Sequence, residues 1–376
     1  MAFYTQSMCV GSWIIVGYIL QKYELLFTLF LTVSALYIAY ISKKYNISKQ
    51  ETIVQIGCGV VGEAYALAYK YYGFPIIGID VQPDIIKKMK SHGIACYYAD
   101  KVPEHINADI ILLSLPTPCD DGQKLEMKYL WSTIPTVTQL IEQSIGLDPI
   151  VVIRSTVPPG FSMEYENKLK QSTNKKFYIA FQPEFLRAKS HKEDAINPWK
   201  VIFGIKENEN YEVTTRLSNV FLKFVENDPR LLNVLTIKEA EIYKLIHNYY
   251  NALKISFANT MYGISNHIDA EIDIQKLLFL ITETSEAMLN PKYGLKVGSP
   301  YMGTCLPKDS RQMRDLAPKG PLKEFIASTI EVNEWIKNNN DLRKDLDVSP
   351  MLMDHKSMKA QFHKKKFANP LKFINN

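Results

Sequence analysis

The chain has 376 residues, 47% of them hydrophobic and 22% charged. That is enough apolar surface to offset chain entropy, so disorder, collagen and coiled coil are excluded. With 44 basic against 39 acidic side chains the net charge is +5, too mild to argue for nucleic acid, and the 5 cysteines show neither a CxxC pair nor a histidine at metal-ligand spacing. A disulfide framework and a metal site are therefore not expected, and scattered single thiols fit a reducing compartment.

Residues 25–41 carry no charge, at the short end of the roughly 17 to 25 positions that span a bilayer. Lys43, Lys44 and Lys49 follow at once, so the expectation is an N-terminal membrane helix, within a membrane anchor over 1–48, with everything after it in the cytoplasm. The apolar stretch 9–20 is too short to cross unaided and reads as interfacial or as one arm of a hairpin. A cleaved signal peptide is the rival reading. It is weakened by the lack of Lys or Arg before residue 22 and by the late apolar core.

Over 49–205 short apolar runs alternate with amphipathic stretches, the pattern of β-α units on a parallel sheet. Strands are expected at 52–56, 75–80, 95–99, 109–115, 149–154 and 177–181, and helices at 63–72, 83–91, 127–144 (broken at Pro135) and 161–171. The fold class is α/β, a Rossmann-like doubly wound parallel sheet. Gly57-Cys58-Gly59-Val60-Val61-Gly62 stands between the first strand and the first helix. In this pattern the glycines allow the tight turn, the approach of a pyrophosphate and close helix packing, with the anion at the helix N-terminus. Asp80 ends the second strand 18 residues beyond Gly62. A carboxylate there accepts ribose hydroxyls and repels a 2′-phosphate, which favours NAD over NADP.

Ligands bind beyond the carboxyl ends of such a sheet. Those ends carry Pro116-Thr117-Pro118, Ser155-Thr156-Val157-Pro158-Pro159-Gly160 and Gln182-Pro183-Glu184-Phe185-Leu186-Arg187. An α-helical domain is expected over 206–340, built on one long helix at 236–267 in which Lys244 and Asn248 share a face. By itself an exposed Lys/Asn pair is ordinarily a solvated surface. The loop Gly303-Thr304-Cys305-Leu306-Pro307-Lys308-Asp309 places a thiol beside a lysine, ahead of a helix expected to begin at Asp309. A cysteine is more often an inert small hydrophobe. Next to a dinucleotide fold, a thiolate can trap an aldehyde and hold it through a second oxidation.

Together these motifs resemble the UDP-glucose/GDP-mannose dehydrogenase family, from about Glu51 to about Glu334, through GCGVVG, SLPTP, STVPPG, QPEFLR, EAEIYKLIHNYYNALKISFAN, GTCLPKD and VNE. The resemblance implies oxidation of the C6 alcohol of a UDP- or GDP-linked sugar to a carboxylate with two NAD. It makes Cys305 the nucleophile that forms a thiohemiacetal and then a thioester. Lys244 and Asn248 become oxyanion stabilisers, Asp309 and Thr117 the groups that hold a water for acid/base steps, and Glu184 the carboxylate assisting thioester hydrolysis. Gly57, Gly59, Val60, Val61, Gly62, Asp80, Thr117, Thr156 and Lys308 are the expected cofactor contacts. A homodimer is implied as well.

Several positions depart from the family pattern. Ala188 and Lys189 follow PEFLR where Glu-Gly is usual, Met302 replaces a glycine before the thiol, and Asn197-Pro198-Trp199-Lys200 replaces a usual Asn-Pro-Asp-Arg. Only 42 residues follow Glu334, and the basic stretch 341–376 reads as a loose tail where the family has a second nucleotide-binding domain. A catalytically silent, membrane-tethered NAD-binding relative is the alternative reading.

Overall fold

The structure, a computed structural model, describes residues 50–119, 125–207, 210–291, 293–295, 297–303 and 305–341. The membrane segment expected at 25–41 and the tail from 342 onward lie outside these residues. Among the described residues no helix is long and apolar enough to cross a membrane. The chain divides into two units, Met1–Ile246 and His247–Asn376.

In the first unit, β1 (Ile53–Ile56), β2 (Ile76–Asp80), β3 (Ala95–Tyr98), β4 (Ile110–Leu113), β5 (Ile150–Ile153) and β6 (Tyr178–Phe181) pair in parallel in the order β3-β2-β1-β4-β5-β6. The strands β1, β4, β5 and β6 are buried along their whole length. Strands so apolar on both sides belong in the middle of a sheet with both faces covered. One face packs Ile53, Ile110, Leu112, Ile150 and Val152 against Tyr65, Ala68 and Tyr69 of α1 (Val60–Tyr71).

The opposite face packs Ile111, Leu113, Val151 and Ile153 against two further helices. The chain reaches them after α2 (Pro83–Ser91) and the single turn α3 (Lys128–Trp131). They are α4 (Ile134–Gln143), which supplies Val137 and Leu140, and α5 (Phe161–Lys170), which supplies Tyr165 and Leu169. The break expected at Pro135 falls between α3 and α4. Pro135 sits in the first turn of α4, where its missing N–H has no intrahelical partner to lose.

The sheet extends further than the sequence reading allowed, and it is not wholly parallel. After α6 (His191–Ile196), β7 (Val201–Ile205) runs antiparallel to β6 through Phe181 and Gly204. After α7 (Asn210–Leu222), β8 (Leu232–Thr236) pairs in parallel with β7. Residues 206–246, expected in the helical half, therefore fold with the sheet. The strand β8 is a partly exposed edge. An edge strand needs only one covered side, so its short apolar content gave no strong strand signal.

The helix expected at 236–267 is α8 (Ile237–Ile268). Its first turns press on β7: a Cβ added to Gly204 would lie 2.8 Å from Ala240 Cβ and from Ile237 Cα. That close approach fixes where Lys244 stands, two turns further along.

In the second unit, the part of α8 from His247 onward is followed by α9 (Ile274–Thr284), α10 (Glu286–Leu289), α11 (Cys305–Leu316) and α12 (Pro321–Asn338). Ile264, Ala317 and Ile326 form its small core, with Met261, Met313, Leu322 and Phe325 against it.

Candidate active site

The glycine turn after β1 has the shape its sequence requires. Gly57 has φ +79°, and a Cβ added to Gly62 would meet Gly57 O at 1.9 Å. Only glycine lets α1 start this close to the strand. Nothing lies within 4 Å of a Cβ added to Gly59, so the turn leaves open space on that side. Val60 and Val61 open the helix, and first-turn N–H groups have no intrahelical acceptor. These groups fit a pyrophosphate. Asp80 accepts from Cys58 N at 2.7 Å through Oδ2, and from Val81 N at 2.7 Å and Gln82 N at 2.9 Å through Oδ1. Oδ1 thus has both lone pairs engaged, while Oδ2 keeps a second lone pair for a ribose hydroxyl. Cys58 is a packing residue of the turn, buried with Cys96. The hydrogen bond to Cys96, followed by burial, pushes the Cys58 thiol up.

Replacing Gly62 with alanine sets a methyl group against a backbone oxygen, which no rotamer change relieves. The expected cost is about 2–4 kcal/mol of stability, with NAD affinity falling at least about tenfold as the turn opens. Thermal melting and calorimetric titration with NAD read the two effects.

Along the carboxyl edge, Ser155 Oγ accepts from Leu115 N and donates to Leu115 O, each at 2.8 Å. This pair ties together the loops that carry Thr117 and Thr156, both half-buried. After β6, Glu184 Oε1 lies 3.0 Å from Lys244 Nζ, and Glu184 Oε2 accepts from Leu186 N at 2.8 Å. Lys244 Nζ also donates to the Glu184 carbonyl oxygen. The ammonium lies 5.1 Å from the centre of the Phe185 ring, and the Lys244 side chain is 5% exposed. With Lys244 buried and Glu184 half-buried, the pair stands at the edge of the sheet where ligands bind.

The sequence reading missed Glu241. It is fully buried and accepts from Gly160 N and from Ser162 N at 2.9 Å. It thus caps α5 directly after the Pro158-Pro159-Gly160 turn and holds α8 to that loop. Its signal was the spacing, three residues before Lys244 and on the same helical face.

In the second unit, α11 begins at Cys305, four residues earlier than expected. Pro307 falls in the first turn and is tolerated there. Cys305 is exposed, and Lys308 and Asp309 form an exposed ion pair at 2.6 Å. The hydrogen bond to Asp309 raises the Lys308 ammonium. Asn248 is exposed on α8, with Oδ1 3.3 Å from His247 Nδ1.

Asn333 of the VNE segment accepts from Tyr301 N at 2.7 Å and donates to Tyr301 O at 3.1 Å. Both backbone groups of a residue four before the thiol are therefore held by one amide, and Gly303 turns the chain at φ +81°. Asn333→Ala leaves both groups without that partner. The expected result is a loss of about 1–3 kcal/mol and faster alkylation of Cys305 by iodoacetamide, read by mass spectrometry.

The fold thus brings Glu184 together with Lys244, and Asp80 together with the glycine turn, in the first unit. Cys305, Lys308, Asp309 and Asn248 belong to the second. Among the described residues no cluster of His, Cys, Asp and Glu could hold a metal ion.

A sheet in this order, with an open glycine turn and a carboxylate at the end of β2, defines a dinucleotide-binding protein. The chain belongs to the UDP-glucose/GDP-mannose dehydrogenase family: the family's NAD-binding domain matches residues 99–225 and its central domain residues 238–335. NAD is accordingly the cofactor of the first unit. UDP-glucose 6-dehydrogenase of Rickettsia felis is 27% identical over 309 residues, which cover 76% of this chain and 65% of that protein. The chain therefore spans about two thirds of that relative's length. A crystal structure of a ternary complex of GDP-mannose dehydrogenase from Pseudomonas aeruginosa has TM-score 0.60 at 20% identity, covering 85% of this chain and 71% of that one. A UDP-glucose dehydrogenase from Pyrobaculum islandicum has TM-score 0.54 at 21% identity, covering 76% and 69%. At those identities the two structures speak for the fold.

Proposed function

We propose that the protein is an NAD-dependent nucleotide-sugar 6-dehydrogenase, oxidising the C6 alcohol of a UDP- or GDP-linked sugar to a carboxylate. The observation that carries the reading is the pair of buried Lys244 with half-buried Glu184 at the carboxyl edge of an NAD-binding sheet. NAD accepts the hydride in each of the two oxidations. Lys244, with Asn248, stabilises the oxyanions that develop at C6. Asp309 and Thr117 hold the water that receives the alcohol proton.

Cys305 adds its thiolate to the aldehyde carbon to give a thiohemiacetal. Loss of a second hydride from that carbon gives a thioester. Water, aided by Glu184, then displaces the thiol to leave the carboxylate. Thr156 and Lys308 act as cofactor contacts. The exposed apolar side chains of α8, among them Tyr249, Tyr250 and Ile255, suit burial against a second copy of the chain in a homodimer. The apolar segment 25–41 tethers the protein to the membrane with the catalytic part in the cytoplasm.

The test is NADH release from the purified protein with UDP-glucose and GDP-mannose, each against Cys305→Ala. Release of about two NADH per sugar with one substrate, falling to no more than one in the variant, supports the reading. No release with any UDP- or GDP-sugar contradicts it and leaves an NAD-binding protein without this activity.

A further inference from the structure

Past the ends of β4, β5 and β6 the ladder continues by one residue: Ser114 N donates to Ile56 O at 2.9 Å, Arg154 N to Leu113 O at 2.9 Å, and Gln182 N to Ile153 O at 2.8 Å. Ser114, Arg154 and Gln182 are therefore neighbours in one row. They face the same way as Leu112, Val152 and Ala180 two residues earlier, onto the side covered by α1. Arg154 is 1% exposed, and its Nε, Nη1 and Nη2 have no hydrogen-bond partner among the described residues. Its guanidinium Cζ stands over Tyr65, 3.2 Å from the ring centre. Gln182 Oε1 and Ser114 Oγ are likewise without partners among the described residues.

A guanidinium keeps its charge in a protein interior, and a buried one is ordinarily matched by a carboxylate. Glu184 and Asp194 stand near enough to act on Tyr65. Each is engaged elsewhere, Glu184 with Lys244 at 3.0 Å and Asp194 with Arg187 at 2.6 Å. Glu63 of α1 is held by Lys88 and by His92. Among the described residues no carboxylate hydrogen-bonds Arg154, whose guanidinium instead meets Tyr65, and this makes the charge costly to keep for packing.

Its position gives that charge a use. Asp80 at the end of β2 and the turn between β1 and α1 would hold the adenosine ribose and the pyrophosphate of bound NAD. The other half of the dinucleotide would then lie toward the carboxyl ends of β4, β5 and β6. We propose that Arg154, buried beneath those ends, acts by its charge to disfavour the oxidised, positively charged nicotinamide relative to the neutral reduced ring, and so makes bound NAD a stronger hydride acceptor. Arg154 exchanges no proton or electron. The hydride and its two electrons leave the alcohol carbon, the hydroxyl proton leaves to water, and the guanidinium only shifts the balance between the two cofactor states. In a medium of intermediate dielectric, one charge at about 10 Å corresponds to about tenfold in that balance.

The test is the ratio of dissociation constants, NAD over NADH, measured by fluorescence titration of the full chain. Arg154→Met keeps much of the volume and removes the charge, Arg154→Lys keeps the charge, and Gln182→Glu sets a carboxylate beside the intact guanidinium. The ratio is expected to fall about tenfold in Arg154→Met and in Gln182→Glu, and to stay within about twofold of the parent in Arg154→Lys. A purely structural role would weaken both ligands in parallel and leave the ratio alone. An unchanged ratio in Arg154→Met overturns the proposal. Should that variant not fold, an unchanged ratio in folded Gln182→Glu does the same.

Discussion

Cys305→Ala is expected to abolish carboxylate formation, by at least about a thousandfold, while the first oxidation survives in part and no more than one NADH appears per sugar. The reasoning is chemical. An aldehyde has a hydrogen to give as hydride only after a nucleophile has made its carbon tetrahedral, and in this chain the proposed nucleophile is the sulfur at the first position of α11, beside the Lys308–Asp309 pair. Alanine supplies no such atom and makes no larger demand on space. Cys305→Ser keeps a hydroxyl but loses most of the nucleophilicity, because a serine needs an adjacent base to act at neutral pH. Product analysis with aldehyde trapping separates the two oxidations. Equal carboxylate yield from Cys305→Ala and the parent would remove the thiol from the reaction.

The second large effect is expected at Lys244. Lys244→Met should lower kcat/KM by about a hundredfold to a thousandfold, the usual consequence of removing a preorganised charge aimed at a developing oxyanion. NAD affinity should stay within about threefold, because the glycine turn and Asp80 are untouched. The substitution also leaves Glu184 with Leu186 N at 2.8 Å but without its ammonium. A stability loss of about 1–3 kcal/mol should accompany it. Lys244→Arg should rescue poorly, since the planar fork cannot take the place of a point charge that meets both a carbonyl and a carboxylate oxygen. Steady-state kinetics with calorimetric NAD titration distinguishes this from a general loss of the fold. A fall in NAD affinity equal to the fall in kcat/KM would count against the role.

Much of the fold is legible because its signals are local. The all-apolar runs that became β4, β5 and β6 are strands too hydrophobic for anything but the middle of a covered sheet, and Gly57, Gly62 and Asp80 carry their meaning in spacing. The same locality explains the misses. Strand β8 is a half-exposed edge, and β7 turns antiparallel through a single pair, so neither had the pattern of a βα repeat. The start of α11 is expected at Asp309 but falls at Cys305, since the first turn of a helix accepts Pro307.

At the site, Lys244 and Glu184 were found as motif residues, but their contact joins positions 60 apart in the chain, and no local pattern encodes it. Glu241 and Asn333 escaped for a related reason. Their work is done on backbone groups of distant loops, Gly160 and Ser162 for one and Tyr301 for the other. Arg154 is the opposite case, a charge at a strand end whose oddity is visible only once its surroundings are known to give its guanidinium no hydrogen bond among the described residues.

The measurement that bears most directly on thiol capture is mass spectrometry of the Cys305 peptide, quenched during turnover with NAD and UDP-glucose or GDP-mannose. The account predicts a sugar-nucleotide adduct on that sulfur, rising before carboxylate accumulates and absent when NAD is withheld. Carboxylate accumulating while the Cys305 thiol stays unmodified at every time point would contradict it.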